Sequence, residues 1–191
     1  RAARQLGLSI PRTLVTNSAE DARRFCDMLE GRVVAKVLVN LSASMGQASF
    51  FVRTTQVTQK HIDALDQLRH SPMIFQERVT KVRELRVAYV SGQVFTGAIK
   101  ATDLADWRLA SAVNTQWECA ELSDETARLI RELMKSLELE YGAIDLIETP
   151  EGRAVFLEVN PTGEWGMLQK CLDLPIADAI ADALWAKEQH T

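Results

Sequence analysis

Glu158 and Asn160 stand two residues apart in Phe156-Leu157-Glu158-Val159-Asn160, a run that Pro161 and Gly163 bring to a stop. In a strand, alternation sends Leu157 and Val159 to one side and Glu158 and Asn160 to the other. Oxygen ligands pointing the same way suit a hard cation that also holds phosphate. Upstream, Thr149-Pro150-Glu151-Gly152 reads as a type I turn, with Pro second and Gly fourth. Folding the chain there, with Thr149 opposite Gly152, sets Asp145 opposite Phe156, so Asp145 joins Glu158 and Asn160 on one face. Asp145 and Glu158 become diagonal neighbours, about 7–8 Å apart at the backbone. Both carboxylates then reach a common Mg²⁺ at about 2.0–2.1 Å. On the other face Ile144 and Leu146 meet Leu157 and Val159 as the core side. The competing reading is an edge hairpin with a solvated polar face, but the flanks are too apolar for a wholly exposed ribbon.

Cations form the second set. Lys36 lies mid-strand among Val34, Ala35, Val37 and Leu38. A lysine buried there needs an anion, and phosphate is the natural one if a nucleotide lies between two lobes. The alternative is a lysine snorkelling from an edge strand. Glu84 and Arg86 share one strand face, as do Thr96, Ala98 and Lys100 on the next strand. If that hairpin pairs normally, Arg86 and Lys100 present cations to one surface, and Arg108 follows in Asp106-Trp107-Arg108. Together they would neutralise a triphosphate and the charge that develops in phosphoryl transfer. The alternative is a salt-bridged surface with Asp103, Asp106 and Glu84. Gln76-Glu77-Arg78-Val79 is expected at the lobe junction, where a strand edge offers backbone groups to an adenine ring. Val79 would pack on its face and Glu77 accept from the exocyclic amine; an ordinary polar strand end is the bland alternative.

These residues need elements to hold them. Length allows one substantial domain or two small lobes: 191 residues, 47% apolar, net charge −4. Nothing in that composition points to a membrane span or a nucleic-acid surface. Cys26, Cys119 and Cys171 are odd in number and widely spaced, which argues against a zinc pattern or disulfide framework and for a reducing cytoplasm. A strand is expected over Ile10–Val15. A helix capped by Asn17 with Glu20 should run through Leu29 and stop at Gly31. Strands follow at Arg32–Val39 and Phe50–Arg53, with a polar loop at Asn40–Ser49 that matches neither the P-loop nor the dinucleotide fingerprint. That loop is a candidate lid over phosphates. Gln59–Arg69 carries a helical stripe, Ile62, Leu65 and Leu68. Strands are expected at Met73–Val79, Glu84–Ser91 and Gln93–Lys100, a loop at Ala101–Glu121, and a helix capped by Ser123. The metal hairpin and a helix from Ile176 to Lys187 complete the chain. The class is α+β, with lobes at 1–75 and 76–191.

With these residues in view, the chain resembles the ATP-grasp ligases, specifically the maturases of graspetide peptides such as the microviridin ligases. The resemblance runs from about Gly7 to Leu184. It is carried by Phe75-Gln76-Glu77, Glu84-Leu85-Arg86-Val87, Asp106-Trp107-Arg108, Tyr141-Gly142-Ala143-Ile144-Asp145-Leu146, and Phe156 to Trp165. It implies an ATP- and Mg²⁺-dependent ligase acting on a precursor peptide. ATP would activate a Glu or Asp side chain as an acyl phosphate, and a Ser or Thr hydroxyl or a Lys amine would close an ester or amide ring. On this resemblance Asp145, Glu158 and Asn160 match the magnesium ligands and Lys36 and Lys100 the phosphate lysines. Gln76, Glu77 and Val79 match the adenine hinge, Glu84 the ribose contact, and Arg86 and Arg108 cations near the transferred phosphate. Members of the family carry a domain before this region, so the fragment alone is expected to do little chemistry; a homodimer is left open. Competing functions are a ligase adding an amino acid such as glutamate to a carboxylate, and a non-catalytic nucleotide-binding module.

Overall fold

The computed structural model describes residues 1–38, 42–45, 48–51, 54–100 and 116–189. Those within 1–10, 80–101 and 111–191 form one compact unit, and those within 11–79 a second, smaller one. Each mixes antiparallel sheet with helices, the expected α+β class. The chain leaves the smaller unit after Val79. A division between residues 75 and 76 would cut the strand Met73–Glu77, which is bonded into its sheet on both sides. At the other end, Ser9 goes with the larger unit, because its carbonyl accepts from the Phe156 amide at 2.8 Å. Among the described residues no helix is long and apolar enough to cross a membrane.

The smaller unit is a four-stranded sheet. Its order is β1 (Thr13–Thr16), β6 (Met73–Glu77), β2 (Val33–Val37) and β5 (Thr55–Gln56). Helix α2 (Ala19–Met28) packs on one face, burying Ala22, Phe25 and Cys26 against Val33 and Phe75. Its N-cap is Ser18, whose hydroxyl accepts from the Asp21 amide at 3.2 Å, one residue beyond the expected Asn17. The helix ends as expected at Gly31, which takes φ +74 and donates its amide to the Cys26 carbonyl. The stripe at 59–69 does not stay one helix. It breaks at Ala64 into α3 (Gln59–Asp63) and a 3-10 segment, Leu65–His70. A 3-10 turn eclipses residues three apart, so Leu65 and Leu68 still reach the core together. Part of the expected loop at 40–49 is a separate hairpin of β3 (Ser42–Met45) and β4 (Ala48–Phe51).

The larger unit is a five-stranded antiparallel sheet. Its order is β11 (Ala154–Asn160), β10 (Tyr141–Glu148), β7 (Arg83–Val90), β8 (Gln93–Lys100) and β9 (Trp117–Cys119). Strand β9 lies within the stretch expected to be loop; three residues are too few for alternation to show. Ser91 and Gly92, both at positive φ, join β7 to β8, as a two-residue type I′ turn requires. One face carries Leu85, Val87, Ile144, Leu146 and Phe156, covered by α4 (Asp124–Ser136) with its Ile130, Leu133 and Met134 and by α1 (Ala2–Gln5). Ser123 caps α4 as expected, its hydroxyl accepting from the Thr126 amide. Each fully buried side chain there, Leu133 for example, contributes about 1.5–3 kcal/mol by leaving water. The opposite face is covered only in part. Helices α5 (Gly166–Leu172) and α6 (Ile176–Glu188) pack on Ala88 and Val90. Contact at Gly97 is so close that a Cβ would lie 2.5 Å from Leu168 Cδ2 and 2.7 Å from Leu172 Cδ1.

Candidate functional site

The metal hairpin forms, with a different register. The Gly152 amide donates to the Thr149 carbonyl at 2.9 Å, so the expected turn is present. Gly152 is nevertheless a third loop residue at φ +76, and the Thr149 amide bonds to the Arg153 carbonyl at 3.0 Å. That shifts pairing by one residue. A second irregularity follows between Asp145 and Leu146: Leu146 faces Phe156 and Asp145 faces Glu158, leaving Leu157 as a bulge. One shift alone would have turned Glu158 to the far side of the sheet; two restore it. Asp145 and Glu158 are therefore directly opposed rather than diagonal, at a backbone separation of about 4.5–5.5 Å for such pairs. Asn160 faces Ala143, on the same side. On the core side Ile144 faces Val159, as expected, while Leu146 faces Phe156.

Two carboxylates and an amide oxygen on one face are a hard-donor set that fits Mg²⁺, which takes one or two carboxylates and completes its shell with phosphate and water. Asn160 adds an amide oxygen to the two carboxylates; among the described residues no three His, Cys, Asp or Glu form a cluster that could hold a metal ion. In the present structure Asp145 and Asn160 are already engaged. Arg86, opposite Asp145 in the β7–β10 ladder, donates Nη1 to Asp145 Oδ1 at 2.7 Å. Asn160 Oδ1 accepts from the Thr162 amide at 2.9 Å and the Thr162 hydroxyl at 3.1 Å.

The loop after β11 is fixed from the neighbouring strands. Arg86 Nη2 donates to the Glu164 carbonyl at 2.9 Å, and the Tyr141 hydroxyl donates to the Gly163 carbonyl at 2.5 Å. Burial pushes the Tyr141 phenol up against the opposing pull of Arg86, and Glu164 adds to the rise, so the hydroxyl is a protonated donor at neutral pH. Gly163 lies against β10 with no room for a side chain: a Cβ would sit 2.5 Å from the Ala143 Cβ. The sequence gives Gly163 only the role of stopping the strand and Tyr141 only a place at the head of the Tyr141–Leu146 motif. Their signal was slight, a tyrosine opening the Asp145 strand and a glycine closing the Asn160 turn.

The other expected residues sort as follows. Glu84 is held by Lys81, Nζ to Oε1 2.5 Å, with both side chains mostly buried. Lys81 is a third residue whose role the sequence did not announce; an acid three residues after a base was its only mark. Lys100 does not share a surface with Arg86. It is paired with Arg83, whereas Arg86 is paired with Gly97, so alternation puts the two cations on opposite faces of the sheet. Arg83 itself is bound to Glu148 and Glu118. Lys100 is exposed at the strand end. Arg108, with Asp103, Asp106 and Trp107, lies outside the described residues.

In the smaller unit Lys36 is half-buried, on the sheet face away from α2 and the Phe75 cluster. Among the described residues β5 pairs with Val34 and Ala35, and Lys36 pairs with Ile74 of β6. Gln76 shares that face and is buried, its Nε2 donating to Thr13 Oγ1 at 3.1 Å. Glu77 donates its amide to the Arg12 carbonyl at 2.9 Å, while its carboxylate accepts the Arg12 amide at 3.2 Å. The group expected to receive an adenine amine is thus committed within the unit, and its backbone carbonyl is left on the same edge as its N–H. Val79 follows, half-buried, beyond the strand. An apolar cavity of about 340 Å³, lined by Ala35, Val37, Leu65, Leu68 and Phe75, opens on the opposite face from Lys36 and Gln76.

A family model described as the RimK-like ATP-grasp domain matches residues 2–184. Among solved structures, the macrocyclase MdnC of Microcystis aeruginosa MRC, bound with precursor peptide MdnA, superposes with TM-score 0.88 at 38% identity, covering 97% of this chain and 59% of that one. A RiPP-associated ATP-grasp ligase of Chryseobacterium gregarium, in complex with ADP and a leader and core peptide, gives TM-score 0.87 at 32% identity, covering 97% and 57%. Among curated proteins, the tetrahydromethanopterin:alpha-L-glutamate ligase of Methanocaldococcus jannaschii is 25% identical over 180 residues, 91% of this chain and 60% of that protein. The chain thus spans about 60% of the length of the curated relatives it matches.

Proposed function

The chain belongs to the RimK-like ATP-grasp family, and on that premise we propose that it is the nucleotide- and metal-binding part of a ligase that cross-links a ribosomal precursor peptide. The observation that carries this reading is the direct opposition of Asp145 and Glu158, with Asn160 on the same face and Arg86 against Asp145. The macrocyclase and RiPP-ligase structures, at 38% and 32% identity, support the peptide as substrate.

In this reading Asp145, Glu158 and Asn160 hold Mg²⁺, which when bound offsets the charge of the phosphates. Lys36 supplies a phosphate contact and Arg108 a further one, whereas Lys100, on the sheet face away from Arg86, is left out of the site. The Glu77 carbonyl and the Val79 amide take the adenine edge, Gln76 lies beneath it, and Glu84, oriented by Lys81, takes the ribose. A peptide carboxylate oxygen attacks the γ-phosphorus and ADP leaves, giving an acyl phosphate. A hydroxyl or amine of the same peptide attacks the acyl carbon, phosphate leaves, and an ester or amide remains. Arg86, which holds Asp145, would pair with oxygens of the transferred phosphate.

The test is mass spectrometry of a Thr-, Ser- and acid-rich peptide, encoded beside the gene, after incubation with the protein, ATP and Mg²⁺. Loss of one water per bond with no added residue supports cross-linking. The curated relatives favour a second reading, addition of glutamate; a mass gain of one amino-acid residue would establish it instead. Binding of ATP with neither product, under conditions where a longer form is also inert, would leave a nucleotide-binding module.

A further inference from the structure

We propose that Tyr141 is a positioning residue for the metal–nucleotide site, acting through the loop that follows Asn160; the inference rests on the ligase reading above. The bond that Tyr141 makes is to the loop beyond Asn160. Its hydroxyl donates to the Gly163 carbonyl, and Arg86 donates to the next carbonyl, Glu164. Two side chains from adjacent strands therefore hold two consecutive peptide units of a segment that has left the sheet.

The segment has few other restraints. Within it, the Thr162 amide and hydroxyl bond to Asn160 Oδ1, and the Gly163 amide bonds to the Asn160 carbonyl. These contacts tie the loop to the amide ligand itself. Any motion of Gly163 is passed to Asn160, because the same turn carries both. The loop is also seated tightly, since Gly163 rests on Ala143 and Ala143 is the cross-strand partner of Asn160. Arg86 adds a second link by holding Asp145 and the Glu164 carbonyl with one guanidinium. Tyr141 is the end of this chain of contacts that is free of any role in the chemistry. Its ring packs against the buried cluster of Ala88, Val90, Leu168, Ile176 and Ala179, which sets the direction of the hydroxyl.

Tyr141→Phe keeps the ring and removes only the donor. Mn²⁺ binding to the full chain in the presence of ADP, read by electron paramagnetic resonance, should weaken about 10-fold or more, as removal of supporting hydrogen bonds around metal ligands does. Backbone amides of residues 162–165 should exchange faster with deuterium, while the melting temperature stays close to that of the unmodified chain. Ile180→Val, in the same apolar cluster but with no bond to the loop, is the control: it should leave Mn²⁺ affinity unchanged. Mn²⁺·ADP affinity within twofold of the unmodified chain in Tyr141→Phe overturns the inference and leaves the ligase reading standing. Failure of the unmodified chain to bind Mn²⁺ with ADP overturns both.

Discussion

Asp145 faces Glu158 directly across the β10–β11 ladder, while Arg86 holds Asp145 from the other side. The carboxylate pair is thus made by two single-residue departures from a regular hairpin, Gly152 and the Leu157 bulge. Like charges placed directly opposite repel, so a sheet built only for stability would avoid this pair. Arg86, bound to Asp145, offsets part of that repulsion.

Glu158→Gln preserves shape and removes one charge. Glu158 is exposed, and the core contacts of its neighbours Val159 and Phe156 are on the other face. Melting should hold, while Mg²⁺-dependent turnover falls roughly 100-fold or more, the scale of losing a few kcal/mol of charge stabilisation. Steady-state kinetics at several Mg²⁺ concentrations decide it; normal turnover with an unchanged metal dependence would remove Glu158 from the site.

Gly163→Ala forces a methyl group to within 2.5 Å of Ala143 Cβ. Overpacking of this kind costs about 1–3 kcal/mol. Urea denaturation should show that loss, and Ala143→Gly in the same chain should restore part of it. Equal stability of Gly163→Ala and the parent would contradict the close approach.

Lys36→Met retains the aliphatic stem and deletes the ammonium. Lys36 has no ion pair among the described residues, so folding should be indifferent. Nucleotide affinity should drop about 10- to 100-fold, the worth of one charge-assisted hydrogen bond. Calorimetric titration with ADP measures it, and an unaltered affinity would assign Lys36 to the surface.

Thiol chemistry gives an independent check on the smaller unit. Cys26 is buried, and burial pushes its thiol up; Cys119 and Cys171 are exposed. A maleimide at neutral pH should label Cys119 and Cys171 quickly and Cys26 only after denaturation. Rapid labelling of Cys26 in the folded chain would mean that α2 does not pack as described.

Local signals carried much of this architecture. Ser123 and Gly31 mark helix ends because capping is decided within four or five residues. Ser91-Gly92 turns the chain because few residue pairs take positive φ twice. Alternation alone put Glu158 and Asn160 on a polar face, and the Thr149–Gly152 turn put Asp145 with them; that face is the one observed. The family was legible for the same reason, since its most specific pieces are contiguous runs around these residues.

Register and long-range contact were decided only by the tertiary structure. The sequence carries no mark of the Leu157 bulge, which depends on how Phe156 and Val159 seat against α4 and the neighbouring strands. It placed Lys100 beside Arg86, but one residue of register puts a strand side chain on the opposite face. Helix α5 has no capping side chain to announce it and forms because Leu168 and Leu172 find the space left by Gly97. The Tyr141 hydroxyl meets the Gly163 carbonyl 22 residues along the chain. Such a bond is specified by the packing of both strands, so no window of sequence contains it: residue types and alternation determine which groups can share a face, and packing determines which of them meet.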